Sequence, residues 1–204
     1  MANLLESSKP KLADIENALD QSPLICYVLD TSRRVVYCNL AWDRFAIDNA
    51  APDLAGAGAL GADINRVIGE DLRPFYRRAF EQATQSETVW ECLYECSSPQ
   101  LFRKFRMRIH PLAPAGWHLI TNARVIERPH HRPVTVGLED YVNSNAQITV
   151  CSHCRCSRRA VPPEPEQWDF VPTHLERHMG NVSHGLCRVC LDYFYPEPHD
   201  SYLR

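Results

Sequence analysis

The chain of 204 residues is long enough for one domain and a small additional module, since a domain takes roughly 100–200 residues. Hydrophobic residues make up 45% and charged residues 23% of the sequence, which excludes a disordered chain and predicts a packed core. The net charge of −3 argues against a dedicated nucleic-acid binder, because such proteins present a basic face.

The sequence contains no stretch typical of a membrane span or a secretory signal. The longest weakly polar run, residues 50–62, includes Asp53 and several glycines and is shorter than the ~20 apolar residues of a transmembrane helix. The first residues lack the basic start and apolar stretch of a signal peptide. We therefore expect a cytoplasmic protein with no membrane contact.

The first predicted elements are a helix and a hairpin. Leu12, Ile15 and Leu19 recur at helical spacing, which predicts an amphipathic N-terminal helix over about residues 11–20. This helix is a candidate contact for a homodimer. Two strands follow at residues 24–29 and 35–38, joined by polar turn residues as in a β-hairpin.

A group of helices and then three strands follow the hairpin. Asn39 is suited to begin a helix, because its side-chain oxygen can accept a free backbone N–H. The clearest amphipathic helix is marked by apolar residues at helical spacing: Leu72, Phe75, Tyr76, Ala79, Phe80 and Ala83. Strands are predicted at residues 89–97, 102–111 and 117–125. Together these elements predict an α+β domain, a five-stranded antiparallel sheet with helices on one side.

The first part of the chain resembles a PAS domain. The resemblance starts with Ile25–Leu29, the turn, Val35–Cys38 and Asn39-Leu40-Ala41-Trp42, which look like the "strand, turn, strand, Asn-x-Ala, aromatic" opening of that family. The later helices and three strands also occur in PAS order. The resemblance implies a PAS-like sensor domain over residues 1–127, followed by a proline-broken linker at 128–147 and a cysteine-rich module at 148–204.

PAS-like domains bind small ligands or partner proteins and pass a signal to an output. The resemblance thus implies a pocket on the sheet, for which Trp90, Cys92, Tyr94 and Trp117 are the candidate lining residues; ordinary core packing of these side chains is the alternative. Haem and flavin are not expected. The helix at residues 71–84 has no histidine, where some haem-binding relatives carry one, and residues 40–45 do not match the reactive-cysteine motif of the flavin-binding ones.

The cysteines point to a metal site near the end of the chain. Cys151 and Cys154 form one C-x-x-C pair, and Cys187 and Cys190 form a second. Two such pairs supply the four thiolates of a tetrahedral structural zinc site. A redox-active set of dithiols and plain structural thiols are the alternatives. The segment that begins at Cys151 is short and rich in proline, so its hydrophobic core alone gives marginal stability. It therefore needs a bound metal or disulfides.

The cysteine module itself resembles a short C-terminal module of some bacterial signalling proteins. The pattern C-S-x-C, a Trp, S-H-G-[IL]-C-x-x-C and Y-P is matched by Cys151–Cys154, Trp168, Ser183–Cys190 and Tyr195-Pro196. The resemblance implies a signalling context and no particular reaction. His184 and the additional thiol of Cys156 are the alternative metal ligands.

No catalytic motif accompanies these features: the sequence has no phosphate-binding glycine loop, H-E-x-x-H or G-x-S-x-G. We expect a non-enzymatic, bacterial-type intracellular sensor or adaptor whose core binds a small ligand or a protein partner and whose zinc module supports interaction. The alternative is a thiol-based redox sensor using the C-terminal cysteines. A nucleic-acid-binding regulator and a metal-dependent hydrolase rank below both.

Overall fold

The computed structural model describes residues 10–130, 139–160, 167–176 and 181–196. The chain divides into two compact units. Unit 1 consists of Met1–Val67, Arg77–Leu93 and Arg106–Arg124, and unit 2 of Ile68–Tyr76, Tyr94–Phe105 and Val125–Arg204. This division by compactness does not test the boundaries drawn from the sequence at 127/128 and 147/148, which stay predictions. Residues 131–138 of the expected linker lie outside the described residues.

A five-stranded sheet has the strand order β2-β1-β5-β4-β3. Its strands are β1 (Ile25–Leu29), β2 (Val35–Cys38), β3 (Trp90–Glu95), β4 (Leu101–Leu112) and β5 (Trp117–Pro129). Strand β1 pairs antiparallel with both β2 and β5. The predicted fold class, an α+β domain with two strands, helices and three further strands, is confirmed.

Three helices belong to this part of the chain: α1 (Leu12–Asp20), α2 (Leu40–Asp48) and α3 (Arg73–Ser86). Short 3-10 turns lie between α2 and α3, at Pro52–Leu54, Gly56–Ala59, Ile64–Arg66 and Glu70–Leu72. The apolar positions predicted for α3 are buried or half-buried and the arginines between them are exposed, so the amphipathic prediction is confirmed. No helix in the described part of the chain has both the length and the apolar character needed to cross a bilayer.

Asn39 begins α2, as predicted, and also binds two other segments. Its Oδ1 accepts the backbone N–H groups of Trp42 and Cys26, each at 3.0 Å. Its Nδ2 donates to the carbonyls of Leu19 at 2.8 Å and Leu24 at 2.9 Å. The side chain is 0% exposed, and these four bonds satisfy its amide. One residue thus joins the end of α1, the start of β1 and the start of α2.

The two faces of β1 contact different helices, because successive strand residues point to opposite sides. The Tyr27 ring meets Trp42 of α2 edge-on, with 5.3 Å between ring centroids. Val28 belongs to a cluster on the other face that includes Leu19 of α1 and Leu119 of β5. Helix α1 therefore lies on the face opposite to α2, which corrects the prediction that the helices lie on one side of the sheet.

The apolar side chains of α1 are used inside the chain. Leu12 and Ile15 pack against the same cluster as Leu19, so this side of the helix covers the chain's own sheet. The homodimer contact through α1 stays a prediction.

Unit 2 contains a second, four-stranded sheet of order β8-β7-β6-β9. Its elements are β6 (Ile148–Cys151), β7 (Ser157–Arg158), β8 (Trp168–Asp169), α4 (Thr173–Glu176), β9 (Val182–Gly185) and α5 (Arg188–Phe194). Tyr141, Ile148, Val150 and Val171 form a small buried cluster beside it. The strands β6 and β9 run parallel, and Cys151 is paired with Gly185 at their ends.

Candidate metal centre

The parallel pairing of β6 and β9 brings the two C-x-x-C segments together. Cys151 is the last residue of β6, and its partner position on β9 is Gly185, two residues before Cys187. Cys187 is the N-cap of α5, and Cys190 lies in the first turn of that helix. Each pair therefore follows directly from a paired strand end, so residues distant in sequence meet at one edge.

The four paired cysteines form one compact, buried sulfur cluster. The Sγ atoms of Cys151, Cys154, Cys187 and Cys190 all lie within 4.8 Å of one another, and all four residues are buried. Cys154 and Cys187 have their sulfurs 3.7 Å apart. Zinc–sulfur bonds of about 2.3 Å in a tetrahedron give sulfur–sulfur separations of about 3.8 Å. The cluster could therefore hold a metal ion with little rearrangement.

The same sulfurs are thiols and not disulfides. All nine cysteines are free, and a disulfide would need a sulfur–sulfur bond of about 2.05 Å. The N–H of Cys187 is 3.5 Å from Sγ of Cys151 and points to it, which places a backbone donor on a sulfur as well. A thiolate at Cys151 would thus be stabilised by the chain itself.

Backbone hydrogen bonds close the turn around the first pair. The N–H of Arg155 donates to the carbonyl of Cys151 at 3.1 Å, and the N–H of Cys151 donates to the carbonyl of Cys156 at 2.8 Å. Arg155 has a φ of 62°, in the left-handed region. Ser152 N–H donates to Gly185 O at 2.7 Å, which fixes the turn to β9. The position of both thiols is therefore set by the backbone.

The electrostatics of the cluster favour one thiolate among four thiols. Hydrogen bonds from Cys154, Cys187 and Cys190 lower the pKa of Cys151. The bond to Cys151 is the main reason why the pKa of Cys154 rises to about 12, and it also raises the pKa of Cys187 and Cys190. Four sulfurs this close cannot all be ionised without a cation, because like charges repel. A divalent metal would supply that charge and displace the shared protons.

His153, inside the first pair, contacts the second pair. Its Nδ1 is 3.2 Å from Sγ of Cys190, and its Nε2 accepts the backbone N–H of Glu95 at 2.8 Å. The ring is half-buried, and this burial lowers the pKa of His153, which favours the neutral imidazole. The C-S-x-C motif predicts no separate role for His153. The sequence signal that could have pointed to it is the residue type, because histidine is the one side chain in this segment with two ring nitrogens.

Asp71 is a second residue that only the structure connects to the centre. Its Oδ2 accepts the hydroxyl of Ser152 at 2.9 Å, and its carbonyl accepts the hydroxyl of Tyr195 at 2.5 Å. Gly69 permits this approach, since a Cβ there would lie 2.9 Å from Cβ and Oγ of Ser152. Ser152, inside the first cysteine pair, and Tyr195, directly after α5, are thus both bound to the segment before α3.

Aromatic rings pack beside the same segment. Phe75 meets Phe194 edge-on at 4.8 Å between ring centroids and Tyr195 at 6.5 Å. Phe194 also meets the ring of His153 at 4.8 Å. Buried rings of this kind stabilise beyond their buried area by about 0.5–1.5 kcal/mol per pair. Helix α5 is therefore held by packing as well as by its two cysteines.

The two alternative ligands lie in different surroundings. His184 is exposed on β9 and is not part of the sulfur cluster. Cys156 is half-buried, and a hydrogen bond with its thiol adds to the effect of Cys151 in raising the pKa of Cys154. The thiol of Cys156 is therefore next to the cluster without belonging to it. Whether either residue binds metal stays a prediction.

The four candidate pocket residues occupy positions on β3 and β5. Trp90, Cys92 and Tyr94 are half-buried and alternate with more exposed residues. Tyr94 stacks on Phe105 at 5.6 Å between ring centroids. Trp117 packs against the apolar cluster that α1 covers. The ligand pocket itself stays a prediction.

Unit 1 has a buried polar group, His118, for which the sequence motifs predict no role. His118 is 0% exposed; Arg33 donates to its Nδ1 at 3.0 Å. Because arginine can only donate, the ring proton lies on Nε2, which donates to Oγ1 of Thr84 at 2.9 Å. Thr84 in turn donates to the carbonyl of Phe80, and the Arg33 guanidinium lies 4.0 Å above the Phe80 ring. The sequence signal that could have pointed to His118 is the alternation of residues along β5, which places His118 on the strand face opposite to that of Leu119.

Comparisons with known proteins give similarities to solved structures alone. No family model matches the sequence, and no curated protein matches it. The PAS domain of a protein from Colwellia psychrerythraea has a TM-score of 0.44 and 12% identity, covering 56% of this chain and 96% of that one. The PAS domain of nitrogen regulation protein NR(II) from Vibrio parahaemolyticus has a TM-score of 0.37 and 13% identity, covering 53% and 95%.

A third similar structure is that of an RNA-binding light-oxygen-voltage receptor. Its TM-score is 0.41 and its identity 18%, covering 61% of this chain and 35% of that one. At these identities and TM-scores, none of the three similarities carries a conclusion about function.

Proposed function

We propose that the chain is a non-catalytic signalling protein, a PAS-like sensor or adaptor whose C-terminal module is built around one structural zinc ion. The observation that supports this proposal most strongly is the buried cluster of Cys151, Cys154, Cys187 and Cys190, whose sulfurs lie within 4.8 Å of one another. Signalling is supported by the PAS-like order of strands and helices and by the resemblance of the cysteine module to modules of bacterial signalling proteins.

Zinc fits the donor set better than other common metals. Four thiolates in a tetrahedral arrangement are the ligands of structural zinc and of iron sites, and zinc needs no redox partner. A set of four protein ligands leaves no open position for water or substrate, which supports a structural and not a catalytic role. The hydrophobic cluster of this module, centred on Tyr141, Ile148, Val150 and Val171, is too small to stabilise it alone.

The role of the module is to hold parts of unit 2 together. Ser152, inside the first cysteine pair, and Tyr195, after the second, bond to Asp71, and His153 bonds to the backbone of Glu95. A module fixed in this way can present a surface to a partner protein and respond to a ligand or partner of the sensor.

A thiol-based redox sensor is the second candidate, and the thiol of Cys156 beside Cys154 favours it. In this function, hydrogen peroxide would oxidise two zinc-bound thiolates of the module to one disulfide. One S–S bond would form and the O–O bond would break, and with two protons taken up from solvent the peroxide would be reduced to two waters. Loss of two ligands would release the metal.

Nucleic-acid binding is the least supported function. Of the three arginines that follow the first cysteine pair, Arg159 is bound by Asp169, with Nε and Oδ2 2.7 Å apart. That pairing removes one cation from a phosphate-binding surface, whose affinity depends on free positive charge.

The test is the metal content of protein purified under reducing conditions, by mass spectrometry. We expect one zinc per chain, absent in a Cys151→Ser, Cys187→Ser double variant and retained in a matched Cys38→Ser, Cys92→Ser variant. Purified chain without metal, carrying disulfides or freely reactive C-terminal thiols, would refute the zinc function and favour the redox one.

A further inference from the structure

His153 is placed to act on the metal centre without being a ligand. It lies between Cys151 and Cys154 in the sequence, yet its Nδ1 is 3.2 Å from Sγ of Cys190, in the opposite pair. Its other ring nitrogen, Nε2, is 2.8 Å from the backbone nitrogen of Glu95. Both polar atoms of one imidazole are therefore engaged, one by the centre and one by the main chain.

The direction of these two bonds follows from chemistry. A backbone N–H can only donate, so Nε2 of His153 must accept from Glu95. A neutral imidazole then carries its proton on Nδ1, which leaves the sulfur of Cys190 as the acceptor. An N–H donor on a ligating thiolate orients it and reduces its negative charge, which is how residues outside the ligand set tune metal sites.

The bond to Glu95 has a second consequence, because β3 is an edge strand of its sheet. The N–H of Cys96, the next residue, donates to the carbonyl of Arg103 on β4 at 3.1 Å. Successive N–H groups of a strand point to opposite sides, so the N–H of Glu95 points away from β4, toward the open edge. Edge strands carry such unpaired groups, and here the ring of His153 satisfies one.

Packing keeps the ring in this position. Phe194 of α5 meets the imidazole edge-on at 4.8 Å, on the same helix that carries Cys190. The ring thus contacts both the ligand and the helix that presents it. A shift of Cys190 or of α5 would change the bond to Glu95 as well.

We propose that His153 is the positioning residue of the metal centre: it orients Cys190 through Nδ1 and transmits metal occupancy to the edge of strand β3 through Nε2. This inference rests on the proposed zinc function. In this inference the end of β3 responds to metal binding. Loss of the metal frees Cys190, and with it the His153 ring that covers the backbone N–H of Glu95.

Two substitutions separate the two bonds. In His153→Asn, the amide nitrogen can take the place of Nδ1, so the bond to Cys190 can remain while the acceptor for Glu95 is lost. In His153→Gln, the amide oxygen can reach the place of Nε2, so the acceptor for Glu95 can remain while the bond to Cys190 is lost. The exposed His184, in the same module, offers matched controls as His184→Asn and His184→Gln.

The experiment combines zinc affinity, from competition with a chromogenic chelator, and hydrogen exchange of the Glu95 amide by NMR, on the full chain with and without zinc. In the parent, zinc should slow Glu95 exchange by about tenfold, the effect of one hydrogen bond. His153→Gln should weaken zinc binding by about 10–100-fold, as expected for a residue that orients a ligand. His153→Asn should retain zinc but lose the protection of Glu95, and both His184 variants should match the parent.

The outcomes separate this inference from the zinc function. A parent chain that binds no zinc refutes the proposed function itself. A parent that binds zinc, with Glu95 exchange unchanged by the metal or with zinc affinity unchanged in His153→Gln, overturns the role of His153. If His153→Asn does not fold, the parent's zinc-dependent exchange and the affinity of His153→Gln still decide the matter.

Discussion

Cys151 and Gly185 are paired residues at the ends of two parallel strands, β6 and β9. This pairing places Cys187 and Cys190 opposite Cys151 and Cys154, although the two C-x-x-C motifs are far apart in the sequence. The metal centre is therefore a product of strand register. A one-residue slip of β9 would move its side chains to the other face and separate the pairs.

Metal removal should unfold the cysteine module before unit 1. The module that carries the four thiols has a small hydrophobic core, and binding free energy at such a site is folding free energy. We predict that chelation of zinc under reducing conditions speeds amide exchange throughout residues 139–160 and 181–196, while β1 and its neighbours stay protected. Mass-spectrometric hydrogen exchange checks this, and equal protection of both regions with and without chelator would contradict it.

The alternative ligands should be dispensable for metal binding. His184 is exposed and Cys156 lies beside the cluster, so Cys156→Ser and His184→Gln should each keep one zinc per chain. Cys154→Ser is the comparison variant that removes a proposed ligand. It should reduce zinc affinity by at least about 100-fold, since a ligand is removed and not only oriented. Zinc lost in Cys156→Ser and kept in Cys154→Ser would show that the ligand set is different.

Tyr195→Phe tests the bond to Asp71 without disturbing packing. The substitution keeps the ring beside Phe75 and removes the hydroxyl that donates to the carbonyl of Asp71. We expect the zinc-loaded protein to lose about 1 kcal/mol of unfolding free energy, the usual contribution of one such bond. Urea denaturation measures it, and Tyr193→Phe, on the exposed side of α5, is the control. Equal losses in the two variants would rule out a specific role for the Asp71 bond.

Asn39→Asp should destabilise unit 1 more than a substitution at an ordinary helix cap does. The carboxylate can still accept the N–H of Trp42, but it loses the donor to Leu19 and Leu24 and faces two carbonyl oxygens in a fully buried site. Unpaired buried polar groups cost about 1–3 kcal/mol each, so a loss of about 3 kcal/mol or more is expected. Asn145→Asp, at an exposed position, serves as the control. A loss below about 1 kcal/mol, the value of a surface cap, would contradict the buried network.

His110, on strand β4, should make unit 1 less stable in mild acid. Burial, and then the neighbouring Arg108, lower the pKa of His110 in the folded chain. In the unfolded chain this histidine has a pKa of about 6.5 and binds protons more readily than in the folded chain. The contribution of neutral His110 to the free energy of unfolding is therefore fully present above about pH 6.5 and falls as the pH decreases below it.

His110→Gln should remove that part of the pH dependence while keeping a partner for Oγ1 of Thr121, which lies 3.2 Å from Nε2 of His110. The measurement is urea denaturation at pH 7.5 and 5.5 for parent and variant. A difference between the two pH values that is the same in both proteins would show that His110 makes no such contribution.

Much of the fold could be predicted from local patterns. The period of the apolar residues in α3 and the polar turn between β1 and β2 are signals within one element, and Asn39 is a helix cap by type. The position of α1 on the face opposite to α2 could not be predicted, because an amphipathic helix specifies only that one side is buried and not which sheet face covers it.

The candidate metal centre likewise has a part that could be predicted from the sequence and a part that could not. The spacing of Cys151, Cys154, Cys187 and Cys190 indicates two chelating turns from sequence alone. The partners Asp71 and Glu95 could not be predicted, since they are distant in the chain and are brought to the cysteines by tertiary structure. The role of His153 depends on its ring tautomer, which is set by the backbone N–H of Glu95.

The most direct test of the central claim is zinc K-edge X-ray absorption on the full chain, purified under reducing conditions. The account predicts one zinc per chain with four sulfur neighbours at about 2.3 Å and no nitrogen or oxygen in the first shell. A chain without zinc, or a zinc with three sulfurs and one nitrogen or oxygen neighbour, would contradict a closed site made by Cys151, Cys154, Cys187 and Cys190.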